Sequence, residues 1–501
     1  MGKGRSALLV ATVLLAACGS REGLWLGEPA VDDAGGAGSG SAGRGGGSIS
    51  AGAPNHAGAP PVSGGAPGAG APSAGAPSAG AGAGGAPIAC TGDGVNCPNG
   101  FNCIAGTCTT HCESRDQCRA DRFCAGGDAC SLKATQIASG SSDTCVLLVD
   151  GSVRCWGDGQ AGQLGDGSQE TSATPVTVKP IQNSNGGIRE LTLGASFACA
   201  VVALGRGSCW GAGDLGQLGA GNLNPSSTPV PIANVNGGDP LLSIGAGRYH
   251  ACGLFSSGSV RCWGANFDGQ LGDGTTTSQV SPVLIAATPD PTTIQVVSGD
   301  AHTCILSGQQ APGQQTVRCW GDNSSLQLGV NGLTRSSSPV TLPSAIATNS
   351  IIVDLAAGAN HTCALNKDGT LSCWGDNSQG QLGVPQPTQS AQPRQVLGLP
   401  TPELPIAISA GEHHSCALMS NQTVVCWGNG MASGSMSANT PPVRIAGLSG
   451  NNVPIAIAAG KTHTCALMLD GSARCWGSNN DGALGVPDIG SSVAAIPVQA
   501  W

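Results

Sequence analysis

Aromatic side chains make up only 3% of the 501 residues, with one tyrosine and five phenylalanines, and charged residues only 10%. So few aromatics leave little free surface on which sugars or bases would stack. The charge content is far below the roughly 25% of an ordinary globular chain. What charge there is sums to −9, so no broad cationic field exists to draw nucleic acid or an anionic membrane surface. Long apolar runs are missing too: Ala7 to Ala17 is about half the roughly 20 residues that a membrane-spanning helix needs. No nucleophile beside a base, carboxylate pair or His/Asp metal set stands outside the repeated pattern described below, and glycine strings such as 157–167 lack the Lys-Ser/Thr of a phosphate loop. No catalytic residue, metal or cofactor is expected.

What the chain has in excess is glycine, 81 residues, and cysteine, 23 residues. Turn-rich β structure joined to low-complexity linker suits such a composition, and so many cysteines point to an oxidising compartment. Cys18 stands alone, eight cysteines crowd between Cys90 and Cys130, and the rest come in seven pairs after residue 140.

The first segment, 1–17, carries Lys3 and Arg5 before its apolar run and reads as an export signal. It ends in Leu15-Ala16-Ala17-Cys18, which resembles the lipobox of bacterial lipoproteins. That resemblance implies cleavage before Cys18, acylation of Cys18 and, with Gly19 following, sorting to the outer membrane; ordinary secretion is the alternative. Residues 18–89 are mostly Gly, Ala, Ser and Pro, including GAPSAGAPSAG at 70–80. Such a segment buries too little apolar surface to offset chain entropy and is expected to be a disordered tether, with a reach of about 45–50 Å as a flexible coil. Within 90–130 lie Cys90, Cys97, Cys103, Cys108, Cys112, Cys118, Cys124 and Cys130. A core this small needs covalent support, and four disulfides are expected, although 105 pairings are open. A zinc module would favour closer C-x₂-C pairs.

From residue 131 to 501 a unit near 53 residues recurs seven times, aligned on Trp156, Trp210, Trp263, Trp320, Trp374, Trp427 and Trp476. A period of about 53 suits a propeller blade better than a helical solenoid. In the fifth copy, the HTCAL and LSCWG runs flank Lys367-Asp368-Gly369, a hairpin signature. A three-residue loop ending in a left-handed glycine pairs Asn366 with Thr370 and puts Cys363 opposite Cys373, at a close, non-hydrogen-bonded site. The same count pairs Cys145 with Cys155, Cys199 with Cys209, Cys252 with Cys262, and Cys465 with Cys475. Cys304 and Cys319 enclose five extra residues, and Cys416 and Cys426 enclose Gln422 where glycine is expected. Seven cross-strand disulfides, one per blade, are the expectation. The last Pro-Val, at 497–498, is expected to join the sheet begun by Ile137 and so close the ring.

The Gly-x-x-His-Thr-Cys-Ala-Leu, Asp-Gly-x-Val-x-Cys-Trp-Gly and Gly-Gln-Leu-Gly motifs resemble the repeats of the regulator of chromosome condensation family. The resemblance covers about 135–501 and implies an all-β, seven-bladed propeller of four-stranded blades. The family's founding member is a nucleotide exchange factor that binds chromatin, a role that an acidic exported chain would not meet. Other propellers of this type bind proteins, and one secreted bacterial relative is similar to a β-lactamase inhibitory protein.

His250, His302, His361, His414 and His463 share one repeat position, with Asp143 and Phe197 in the first two copies. Residues spread once per blade are structural and are expected to satisfy backbone groups locally. The seven tryptophans read as blade packing, and Asp158 and Asp166 as turn residues, not calcium ligands. Positions where the copies disagree, including 309–315 and the stretch from Met431 to Met436, are where recognition would sit. The function expected is a surface-exposed, lipid-anchored, non-catalytic module, a monomer, that binds an unidentified protein in adhesion or inhibition; it touches the membrane through its lipid only and binds no nucleic acid. A propeller enzyme acting on polysaccharide or peptidoglycan is the alternative, and carboxylates at the channel mouth would favour it.

Overall fold

The computed structural model describes residues 102–104, 107–109, 121–124 and 130–501, the last span apart from 183–186, 236–237, 343–349, 438–439 and 500. The expected signal segment, Cys18, the tether, and Cys90, Cys97, Cys112 and Cys118 lie outside the described residues. Two short hairpins belong to the cysteine-rich segment, Asn102–Ile104 with Thr107–Thr109 and Arg122–Cys124 with Cys130–Leu132. Their backbone registers set Cys103 opposite Cys108 and Cys124 opposite Cys130.

The remainder is a seven-bladed propeller in which each repeat supplies one four-stranded antiparallel sheet, its strands in chain order. Blade 5 shows the logic. Its inner strand, Ile352–Ala357, lines the central channel, and the second and third strands, His361–Asn366 and Leu371–Asp376, form the hairpin. The outer strand, Gln389–Gln395, is largely exposed. The hairpin closes as its sequence dictates. The amide of Asn366 donates to Thr370 O at 2.9 Å, that of Gly369 donates to Asn366 O at 2.9 Å, and Gly369 has φ +84°. Cys363 then faces Cys373.

The same opposition occurs in every blade, and all seven pairs are bonded, with Cα atoms 4.0–4.1 Å apart. In blade 4 the five extra residues lengthen the turn beyond Gly308 and Gln315 without shifting Cys304 from Cys319. In blade 6, Gln422 occupies the glycine position at φ +63°, a region that costs an L-residue roughly 1–2 kcal/mol.

The core lies between blades, not within them. Seven apolar clusters each join two neighbours, and each is centred on a fully buried tryptophan. Each indole Nε1 donates to a carbonyl in the preceding blade, as from Trp210 to Gln163 O at 2.9 Å and from Trp374 to Gln327 O at 3.0 Å.

The closure departs from the sequence expectation. Ser492–Pro497 pairs with the third strand of blade 7, and among the described residues blades 1 and 7 share no strand. Because one repeat already supplies four strands, the ring closes by side-chain packing instead. Blade 7 meets blade 1 through a cluster holding Trp156, Leu467 and Leu484. Trp156 Nε1 donates to Ala483 O at 3.0 Å, and Lys461 N to Gly140 O at 3.1 Å. Trp501 stacks on Trp156 with centroids 6.2 Å apart and donates to Leu132 O at 2.7 Å.

Candidate functional site

The repeated histidines do not satisfy their own blade's backbone. Each ring reaches the hydroxyl of the next blade: Nε2 of His250 lies 2.8 Å from Thr303 Oγ1, of His302 3.0 Å from Thr362 Oγ1, and of His361 2.8 Å from Ser415 Oγ. His414 meets Thr464, and His463 meets Thr144 across the closure, both at 2.8 Å. Thr303, Thr362, Ser415 and Thr464 in turn donate to main-chain carbonyls, so the ring nitrogen must be the donor to them. Burial holds the rings far below the ordinary histidine range, to about 3 for His250, His361 and His414 and about 4 for His302 and His463. A neutral donor locked between blades is a structural tie.

The sequence carried a signal for this tie that a reading within one repeat misses. Where a copy has histidine, the following copy has Thr or Ser beside its own repeat position; after Asp143 and Phe197 come Ala198 and Ala251. Phe197 packs with Ala251 in an apolar cluster. Asp143 is fully buried with neither carboxylate oxygen paired, and burial, followed by Asp158, pushes its pKa well up.

The inner strands add a second set of ties. Gln136 Oε1 accepts from Leu191 N and Gln295 Oε1 from Leu355 N, both at 3.0 Å. Glu190 holds the same position in blade 2, with Ile244 N at 3.5 Å, Oε2 unpaired and its pKa raised by burial to about 8.

With the inter-blade surfaces committed to packing, the surfaces free for recognition are the rim of outer strands and the two ends of the disc. At one end, the turns after the inner strands and the loops after the third strands converge around the channel mouth. The channel wall is mostly glycine, alanine and serine. At its mouth Asp300 pairs with Arg248 at 3.3 Å and Glu412 with Lys461 at 3.1 Å. Burial pushes the Asp300 pKa up, with Arg248 acting against it. The mouth therefore has carboxylates, but each already faces a cation.

The loops of this end carry Asp158, Asp166, Glu170, Asp214, Asp268, Asp273, Asp322, Asp376, Asp481 and Asp488 besides that pair, against Arg248, Arg335 and Lys461. Asp158 and Asp166 accept from the amides of Gln160 and Ser168, as turn residues do. At the opposite end acids meet arginines, Asp239 with Arg261 at 3.0 Å and Asp290 with Arg318 at 3.6 Å. The disc thus has one acidic end and one mixed end.

Two aromatic residues sit exposed on the acidic end, and single-copy reasoning passed over both. Phe267 is 59% exposed and Tyr249 37%. The equivalents of Phe267 in regular blades are Gln160, Asp214, Ser324, Ser378 and Asn480; those of Tyr249 are Ser142, Ser196, Ala301, Asn360, His413 and Thr462. Their departure from their siblings is the signal. In blade 6 a short 3-10 turn, Met431–Ser433, replaces Gln-Leu-Gly, and Ala432 O takes over as acceptor for Trp476 at 2.9 Å.

Comparison with known proteins agrees with this architecture. A family model described as the RCC1-like domain matches residues 226–500, and models of the regulator of chromosome condensation (RCC1) repeat match 134–163 and 150–201. Ultraviolet-B receptor UVR8 of Arabidopsis thaliana is 29% identical over 346 residues, covering 60% of this chain and 77% of that protein. The probable E3 ubiquitin-protein ligase HERC6 of Homo sapiens is 32% identical over 326 residues; the match spans 62% of this chain but 31% of that protein. Yeast RCC1 (Prp20), solved bound to Kap60, superposes with a TM-score of 0.59 at 23% identity over 71% of this chain and 83% of that one. Human WBSCR16 gives 0.60 at 21% identity over 68% and 92%. At these identities the solved structures speak for the fold alone.

Proposed function

Because the chain belongs to the RCC1-like domain family, matched over more than half its length, we propose that it binds a protein through the acidic end of the disc and does so as a recognition module without turnover. The observation that carries this reading is the contrast in how surface is used. Inter-blade surface is consumed by tryptophan, histidine and glutamine ties, whereas the loops of one end hold exposed aromatics at positions where most sibling repeats carry small or polar residues. Variable loops on a rigid scaffold are where recognition usually lies. Among structural neighbours, yeast RCC1 is bound to Kap60 and binds Gsp1p and histones; those partners belong to that protein.

We further propose that the propeller works outside the cytoplasm as a single copy, held to the outer membrane by lipid on Cys18 and spaced from it by residues 18–89. The lipobox-like 15–18 and the pairing of cysteines in every blade support this. Metabolic labelling with a fatty acid tests the anchor: wild type takes up label, and a labelled Cys18→Ser protein would refute it. The binding face is tested by photo-crosslinkers placed one at a time at Asp214 and Ser378 on the acidic end and at Leu204 and Leu469 on the other. Protein adducts from the first pair alone are expected. Adducts equally from both ends, or from neither, would overturn the reading.

A further inference from the structure

Blade 3 stands apart from its siblings on the acidic end. A backbone bond found in every blade, here from Ala265 N to Tyr249 O at 2.9 Å, ties the loop bearing Phe267 to the turn bearing Tyr249; the two aromatics it brings together are peculiar to blade 3. Arg248 lies over the Tyr249 ring, 5.2 Å from its centroid. From blade 4, Arg335 Nη1 donates to Phe267 O at 3.3 Å and steadies the loop. Neighbouring loops add exposed Leu223 from blade 2 and Leu333 from blade 4. Exposed apolar side chains thus occur on the loops of three successive blades, and only in blade 3 are two of them aromatic; the loops of blades 6 and 7 expose Met436 and Ile489. Large rings held rigidly in solvent are common anchors at protein interfaces.

The charges around these rings select the partner. Asp214, Asp268, Asp300 and Asp322 belong to the same three blades, and Arg248 is already taken by Asp300. Burial and then the proximity of Asp322 push the Asp268 pKa up, while Arg335 pulls it back; negative charge here exceeds what its own cations neutralise. A cationic segment would relieve that repulsion and gain on-rate from the field.

We propose that the Tyr249–Phe267 sector is a docking site for a polypeptide segment that places an apolar side chain between lysines or arginines. This rests on the protein-binding reading above and adds the sector and the chemistry of the partner. The apolar residue packs on Phe267 and Tyr249, and the flanking cations face Asp214, Asp268 and Asp322.

The test uses the full oxidised chain and three sets of synthetic twelve-residue peptides. Each set has a central Trp or Leu, flanked by Lys/Arg, by Asp/Glu, or by Ser/Gln, and affinity is read by fluorescence anisotropy at low, physiological and high salt. The basic set is expected to bind at least about tenfold more tightly than the others and to weaken as salt rises. Phe267→Ser and Tyr249→Ser should each weaken binding about tenfold or more, and Leu469→Ser at the other end should leave it unchanged. Serine stands at the equivalent positions Ser324, Ser378, Ser142 and Ser196, so these variants fold, which an unchanged melting temperature checks. Equal binding of neutral or acidic peptides, or unaltered binding by both serine variants, would overturn the proposal. So would self-association in sedimentation that Phe267→Ser abolishes, since a second copy would then be the occupant. If crosslinks form at the acidic end while the basic peptides fail, the chemistry assigned here is wrong and the protein-binding reading stands.

Discussion

Replacing Glu190 by glutamine should stabilise the propeller at neutral and alkaline pH and leave it nearly unchanged in mild acid. Gln136 and Gln295 show why. At the same blade position each amide oxygen accepts a main-chain N–H of the next blade at 3.0 Å, and each amide nitrogen donates to that residue's carbonyl, at 3.4 Å to Leu191 O and 3.1 Å to Leu355 O. Glu190 makes only the acceptor half, 3.5 Å from Ile244 N, and its second oxygen has no partner. Burial raises its pKa from 4.5 to about 8, while the Ile244 amide opposes that rise. The folded chain therefore holds a proton that the unfolded chain has lost. Stability is full below pH 4.5 and declines as pH rises towards about 8, by up to about 1.4 kcal/mol per unit. Over that window the loss is of order 3–5 kcal/mol. Glu190→Gln abolishes it, because the amide keeps a donor at every pH whereas the carboxyl loses its own on ionising. The assay is the guanidinium midpoint of wild type and variant at several pH values between 4.5 and 8.5, disulfides intact. The midpoints should diverge steadily with pH, the variant higher. Parallel profiles would refute the assignment of a protonated carboxyl between blades 2 and 3.

Other substitutions probe the remaining ties. Thr362→Ala strands the buried His302 N–H and should cost about 1–3 kcal/mol; adding His302→Phe, which copies the Phe197–Ala251 arrangement, should recover much of that loss in a double-mutant cycle. Asp143→His with Ala198→Thr should build the missing histidine–hydroxyl tie between blades 1 and 2, since Gly140 leaves the space that Gly247 leaves for His250; the pair should melt higher than either single variant, and a double variant no more stable than Ala198→Thr alone would refute it. Gln422→Gly should relieve the left-handed residue of blade 6, a net gain of about 0.5–1 kcal/mol after the entropy of glycine is subtracted, read as a small upward shift in melting temperature. The five native histidines give the opposite pH slope from Glu190: their folded pKa values lie below 6.5, so their contribution is whole above 6.5 and fades as pH falls towards 3–4, and His302→Phe with Thr362→Ala should flatten that acid limb.

What was legible in the sequence was whatever a single repeat encodes. The turn at Lys367-Asp368-Gly369 and the spacing of Cys363 and Cys373 set the hairpin and its register, because contacts of short range depend on local geometry alone. Even the irregular loop at 309–315 and the misplaced Gln422 were visible as departures from that geometry. What a single repeat cannot show is the identity of a partner about fifty residues away. The histidine–hydroxyl ties, the glutamine clamps and the role of Glu190 all join one blade to the next. The closing of the ring differs from the sequence expectation for a related reason: a terminal Pro-Val suggests a strand in search of a sheet, but its own repeat already has a place for it. Comparing copies position by position recovers part of this, as Ala198 and Ala251 show for the histidines, and Phe267 and Tyr249 for the acidic end.

Each hairpin is covalently closed within its own blade. Each such loop restricts the unfolded chain by about 2.5–3 kcal/mol, and the sulfurs are buried, so mild reductant should leave the native protein intact. Peptide mapping of the purified, unreduced chain is the direct measurement. The bonds expected are Cys145–Cys155, Cys199–Cys209, Cys252–Cys262, Cys304–Cys319, Cys363–Cys373, Cys416–Cys426 and Cys465–Cys475. Free thiols at these positions, or a bond joining two different blades, would contradict it.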